Sequence, residues 1–261
     1  MPAGENRLWF LTYDPRDFRS TWLTVSSITT ACGTPVTNLA KVVVQCSISH
    51  LTTNEHLPLR NKSTNEVLRK IIFINETYGP LKEESTLAFP DIVDMYPNVD
   101  TKEAINHTGT LYEKQPSNLG LPKEALVEAL KICQKCNSIQ FNGKYYLPCR
   151  GCAMRPPHGC DLTDIWIGPI AQKAVDTCPV ETIDEFSIYR DDGFDILKNG
   201  NDLGQYTEHL NSLHPNLKWE IRSGREGEYL DLYLMIINGR IETKIYKKSE
   251  PIYLHPSSCH D

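Results

Sequence analysis

Apolar and polar positions alternate with two distinct periods along this chain. From Ser63 to Thr77, Val67, Leu68, Ile71, Ile72 and Ile74 recur at helical spacing, and Ser63 with Glu66 has the form of a capping box. The pattern predicts a helix ending before Gly79-Pro80. Leu87 to Tyr96 (LAFPDIVDMY) is an apolar run broken by two aspartates, which predicts a strand running into a turn. Lys123 to Cys136 places Leu126, Ala129, Leu130 and Cys133 on one helical face, and Pro156 to Ala174 does the same with Leu162, Ile165, Trp166 and Ile170. A last helix is expected over Asp202 to Leu213, stopped by Pro215. Three hairpins are predicted: Ile139 to Leu147 about Asn142-Gly143, Phe186 to Leu197 about Asp191-Asp192-Gly193, and Leu230 to Tyr246 about Asn238-Gly239. Residues 1–60 read as irregular strands and turns, punctuated at Gly33-Thr34-Pro35. Such an order describes an α+β chain with an antiparallel sheet.

Length and charge narrow the picture. The 261 residues allow one large domain or two modest ones, and 40% hydrophobic with 23% charged residues is ordinary globular composition. Thirty-three acids against 27 Lys and Arg give −6, so a polyanionic partner would have to be met by local positive charge. No run approaches the ~20 apolar residues of a membrane span and the first ten residues lack a signal-peptide pattern, which places the chain in the nucleus or cytoplasm rather than outside the cell. Nine cysteines then point to reduced thiols, and the sequons at Asn61, Asn75 and Asn106 carry no meaning.

Candidate chemistry centres on acids. Asp191-Asp192 follows Tyr189 and Arg190 at a hairpin tip, where adjacent carboxylates repel and a divalent cation would offset the repulsion. Asp-Asp-Gly is equally good turn chemistry without a metal. One hundred residues earlier, Asp91 and Asp94 stand at a strand end, with Tyr96 five positions after Asp91. A strand-borne carboxylate beside a hairpin-tip pair is what two-metal nucleotidyl transfer requires, with oxygen ligands holding two Mg²⁺ ions about 3.5 to 4 Å apart. Between them Gly151-Cys-Ala-Met-Arg155-Pro-Pro157 opens a helix, and Lys144, Arg150 and Arg155 occur there with no acid from Phe141 to Pro157. Backbone at such a glycine turn can approach a phosphate.

The segments FPDIVDMYPNVD, FNGKYYLPCRGCAMRPP, IYRDD, LNSLHPNLKWEI and YLDLYLMIINGRIETKIYKKSEPIYLHPSSCH resemble successive motifs of reverse transcriptases, particularly those of Penelope-like retroelements, over roughly residues 30 to 261. The resemblance implies a right-hand polymerase palm with partial fingers and a truncated thumb: fingers-like residues 1–80, palm 81–205 and thumb from 206. It implies an RNA-directed DNA polymerase that uses two Mg²⁺ ions, an RNA template, a DNA primer and deoxynucleotides. Asp91, Asp191 and Asp192 match the metal-binding acids, the Ile92 carbonyl a further ligand, and Tyr96 the side chain that excludes a ribose 2′-hydroxyl. Tyr189 matches the aromatic before the acid pair, Gly151, Ala153, Met154 and Arg155 the template and nucleotide motif, and Lys218 the region of a pyrophosphate-side general acid. Arg155 stands where the family has a second glycine, Cys152 replaces a threonine, Pro148 replaces a glutamine, and Trp22 to Thr30 lacks an expected basic residue. These departures keep open a catalytically silent remnant that binds nucleic acid at most.

A rival pattern is Cys133-x2-Cys136 followed by Cys149-x2-Cys152, the spacing of a zinc ribbon and of a zinc-stabilised interaction module. Against it, Cys133 falls on the apolar face of a predicted helix, where a thiol packs as a small hydrophobe. His158 and Cys160 read as a solvated turn. Lys218 to Lys248 carries seven basic and five acidic residues, a weak bias toward phosphate.

Overall fold

The computed structural model describes residues 35–43, 48–53, 57–116, 121–136, 139–141, 144–146, 150–153, 156–184 and 186–247. Met154, Arg155, Cys149, Pro148, Asn142-Gly143 and the Trp22 to Thr30 stretch lie outside them. Seven helices are described: α1 (Pro35–Val43), α2 (Thr64–Thr77), the single turn α3 (Met95–Asn98), α4 (Thr101–Lys114), α5 (Lys123–Lys135), α6 (Pro157–Asp176) and α7 (Leu203–Ser212). The strands are β1 (Thr86–Ile92), β2 (Ile139–Phe141), β3 (Lys144–Tyr146), β4 (Ser187–Tyr189), β5 (Asp192–Leu197), β6 (Trp219–Gly224), β7 (Glu226–Tyr229), β8 (Leu232–Ile237) and β9 (Arg240–Ile245).

The central sheet is antiparallel in the order β4-β5-β1-β6, with a β2-β3 hairpin and a three-stranded β7-β8-β9 sheet beside it. Successive side chains of β1 leave to opposite faces. Ala88 and Ile92 enter a core with Leu162, Ile165, Trp166, Tyr112, Leu130 and Tyr206 of the helices, whereas Leu87 and Phe89 enter a second core with Phe194, Ile196, Tyr229, Leu232 and Leu234. Helices α4 to α7 cover one face, and α2, through Val67, Ile71 and Ile74, covers part of the other together with the small sheet. Asp91 has the parity of Leu87 and Phe89, so it stands on the face that α2 and the small sheet partly cover, at an end of β1 where it stays partly exposed.

Several expectations are corrected. Residues 35–43 form a helix packed on α5 and α6, not a strand, because Thr37, Ala40 and Val43 make a short buried stripe. α4 was invisible to apolar periodicity since it buries Ala104, Thr108 and Gly109 as well as Ile105 and Tyr112; a Cβ on Gly109 would meet Val127 Cγ2 at 2.9 Å. Its start is set by Asp100, whose carboxylate accepts from the Lys102 and Glu103 amides at 3.0 and 2.9 Å. At α2 the capping box does not form: Ser63 makes no side-chain cap, and Glu66 accepts instead from the Lys62 amide, one residue before it, at 2.7 Å. The second hairpin turns at Arg190-Asp191, one step earlier than Asp-Asp-Gly, because Asp192 already pairs with Tyr189. Asn238 (φ 48) and Gly239 (φ 74) make the expected left-handed turn of the third. β6, within the stretch expected to begin the thumb, is hydrogen-bonded along β1 as an edge of the central sheet. No described helix is long and apolar enough to cross a membrane.

Candidate polymerase-type active site

Strand register assembles the acids. Asp91 is the Cα partner of Asp192 on one side and of Glu220 on the other. The Ile92 amide donates to the Asp191 carbonyl at 3.0 Å, which seats the turn of the β4-β5 hairpin beside the end of β1. Three carboxylates from sites one hundred residues apart thus share one end of one face. The Asp91 carboxyl is pushed above the usual range, by partial burial first and then by the negative charges of Asp192 and Asp191, with Arg222 opposing and Glu220 adding. They are not drawn into a finished coordination shell. Among the described residues no group of three or more His, Cys, Asp or Glu side chains is arranged to hold a metal ion.

Past β1 the chain reverses. Asp94 adopts φ 50 and its carbonyl accepts from Asn98 Nδ2 at 3.0 Å, so Asp94 closes a turn rather than joining the acid group. That turn delivers Tyr96, which is held from three sides: its carbonyl accepts the Cys152 amide at 2.8 Å, its hydroxyl accepts from Arg190 Nη1 at 3.3 Å, and Cys160 Sγ lies 3.6 Å from the same hydroxyl. The 150–153 segment docks on this turn, the Gly151 amide donating to the Val99 carbonyl at 3.2 Å. Gly151 is at φ 86, and a Cβ there would stand 2.7 Å from the Pro97 carbonyl oxygen, so glycine is the residue that this approach admits. Ala153 follows and leads to α6, where Gly159 lies against the Ala153 carbonyl so closely that a Cβ would collide with it. Tyr189, half-buried, sits on the strand just before the turn, with the Arg190 guanidinium 5.8 Å from its ring centre. The Lys218 carbonyl accepts from the Val93 amide at 2.9 Å, and its exposed ammonium pairs with Glu220 at 3.0 Å. Glu220 and Arg222 alternate outward from a strand whose Trp219 is buried; their place opposite β1 was hidden because β6 itself was not foreseen.

Solved structures with a similar fold were found by comparison. Apo telomerase from Candida tropicalis, truncated from its C-terminal domain, superposes with a TM-score of 0.55 at 12% identity over 80% of this chain and 45% of its own. Telomerase from Candida albicans in complex with the TWJ fragment of telomeric RNA gives 0.58 at 12% over 80% and 38%. The RNA-dependent RNA polymerase of a human picobirnavirus gives 0.55 at 14% over 81% and 40%. The fold is that of a polymerase palm. The chain spans less than half the length of these three proteins. No family model and no curated protein matches the sequence.

Burial pushes the Cys133 and Cys152 thiols up to about 11, Cys136 is exposed, and Cys149 lies outside the described residues. Gln134 Nε2 donates to Cys152 Sγ at 3.3 Å, tying α5 to the 150–153 segment by a hydrogen bond. His158 and Cys160 are not in a solvated turn; both are on α6, and His158 is 1% exposed with its imidazole held neutral by burial, down to about 4. Trp166 is core as expected, 2% exposed, its indole nitrogen donating to Glu103 at 2.9 Å.

Proposed function

We propose that this palm is the catalytic part of an RNA-directed DNA polymerase of the Penelope-like retroelement type, extending a DNA primer on an RNA template. The observation that carries the reading is the register of Asp91 against Asp192, with Asp191 on the adjoining turn, at the partly exposed end of β1. The donors are all oxygen, and Asp91, its carboxyl raised by burial first and then by the charges of Asp192 and Asp191, shares its site with both, which suits hard divalent cations. Asp91, Asp191, Asp192 and the Ile92 carbonyl would hold two Mg²⁺ ions. When bound, these supply activation of the primer 3′-hydroxyl and neutralisation of the departing pyrophosphate.

The chain's own groups position the reactants. The primer 3′-hydroxyl gives up its proton to solvent, its oxygen attacks the α-phosphate, the bond to pyrophosphate breaks, and Lys218 would hand a proton to the leaving group. Tyr96, held against the 150–153 segment, would meet the nucleotide sugar and so select deoxyribose. Ala153, Met154 and Arg155 would track template and nucleotide phosphate, and the fingers, palm and thumb parts would fall at 1–80, 81–205 and onward, with β6 serving the palm. The test is extension of primers on RNA or DNA templates with deoxy- or ribonucleotides. Preferred deoxynucleotide incorporation on RNA is expected; preferred ribonucleotide incorporation would reassign the palm to the RNA polymerases. Recovery of extension only in Arg155→Gly would identify a silenced palm.

A further inference from the structure

The β4-β5 turn carries a side chain that its geometry does not ask for. Arg190 sits at φ 57, a conformation that Gly, Asn or Asp supplies more cheaply in a two-residue hairpin loop. What the long side chain adds is its head group. Nη1 donates to the Tyr96 hydroxyl at 3.3 Å and lies 3.8 Å from Asp164 Oδ2 on α6. Asp164 is 1% exposed, so its charge requires nearby cations, and Arg60 supplies the second: Nη2 is 2.7 Å from the same oxygen and Nη1 donates to the Thr52 carbonyl at 3.0 Å. Asp161, one turn earlier on α6, adds negative charge facing both guanidiniums.

We propose that Arg190 is a positioning residue of the nucleotide site. Anchored by Asp164, it orients the Tyr96 phenol and locks the acid-bearing turn, the Tyr96 turn and α6 into one unit. A single guanidinium nitrogen, Nη1, faces both partners, held in place by the planar, permanently charged group, where a lysine offers a compact ammonium on a flexible stem. The inference rests on the polymerase reading for its consequence in turnover, and on geometry alone for the contact.

The test uses the full chain in five forms: wild type, Arg190→Met, Arg190→Lys, Tyr96→Phe, and Tyr96→Phe combined with Arg190→Met. With tyrosine labelled at ¹³Cζ, the Tyr96 resonance, assigned by its loss in Tyr96→Phe, should move in Arg190→Met and return part-way in Arg190→Lys. In primer extension, Arg190→Met should raise the deoxynucleotide KM about tenfold, as for loss of a charge-assisted hydrogen bond, with kcat far less affected. The combined variant should be no worse than Arg190→Met, since each change removes the same contact. A Tyr96 resonance unmoved by Arg190→Met, or KM effects that multiply in the combined variant, overturns the inference. If no form extends a primer, the polymerase reading fails and the resonance alone decides the contact.

Discussion

Two buried ionisable groups pull stability in opposite directions with pH. Asp195 on β5 is 4% exposed and its carboxyl is raised to about 6, chiefly by burial, with the Ile196 amide and the Tyr206 hydroxyl at 2.9 Å opposing. Its unfolded value is about 3.9, so between pH 4 and 6 the folded state holds a proton that the unfolded state has released. Its contribution is complete below about pH 4 and is lost as pH rises through 6, by about 3 kcal/mol. His158 runs the other way: at about 4 folded against about 6.5 unfolded, it contributes above pH 6.5 and loses about 3 kcal/mol as pH falls to 4. Urea unfolding at pH 4.5, 5.5 and 6.5 should show Asp195→Asn losing stability on acidification more steeply than wild type and His158→Leu less steeply. Parallel profiles for the three proteins would remove both assignments. Asp191-Asp192 and Asp91 were legible in the sequence as chemistry because acids at strand ends are conspicuous. Asp195 and His158 were not, since only burial makes them unusual.

At the scale of elements, the loops around the acids are fixed by contacts that no local pattern announces. Gly151 is the clearest case: at φ 86 against the Pro97 carbonyl, Gly151→Ala should cost about 1 to 2 kcal/mol from backbone conformation alone, plus the clash, and loosen the Tyr96 turn. Unchanged urea midpoints would contradict this. Asn75 on α2 binds the outer edge of β9 as a further strand would, its amide donating to the Ile241 carbonyl at 2.9 Å and accepting from the Ile241 amide at 2.8 Å. Asn61, 8% exposed, donates to the Tyr229 hydroxyl. Two of the three sequon asparagines are therefore structural. Asn75→Ala should destabilise by about 1 to 3 kcal/mol through the paired backbone groups it leaves bare, measured by chemical denaturation. The hairpins and α2, α5, α6 and α7 were legible because their apolar periods are strong. α1, α4 and β6 were not, because small residues or a half-polar edge do the packing there.

Across the whole molecule, the two faces of one sheet divide the labour. Helices α4, α6 and α7 stabilise the sheet from one side, and α2 with the β7-β8-β9 sheet covers part of the other, leaving Asp91 at the end of β1 partly exposed. The net charge of −6 sits easily with this plan, since part of it is the acid group itself. The order of elements disclosed an antiparallel α+β chain; the joining of β6 to the palm needed tertiary contacts, because strand partners are set by burial and not by neighbours in sequence. Arg60 ties the 57–61 segment to α6 through the Asp164 pair, so Arg60→Met should destabilise by about 3 kcal/mol or more by leaving a buried carboxylate short of a partner. The most direct test of the whole account is single-nucleotide incorporation on a primed RNA template with Mg²⁺, wild type against Asp191→Asn with Asp192→Asn. Incorporation by wild type and a loss of about 10³-fold or more in the variant are expected, because metal-borne charge stabilisation is worth several kcal/mol; incorporation that survives both substitutions would contradict the assignment.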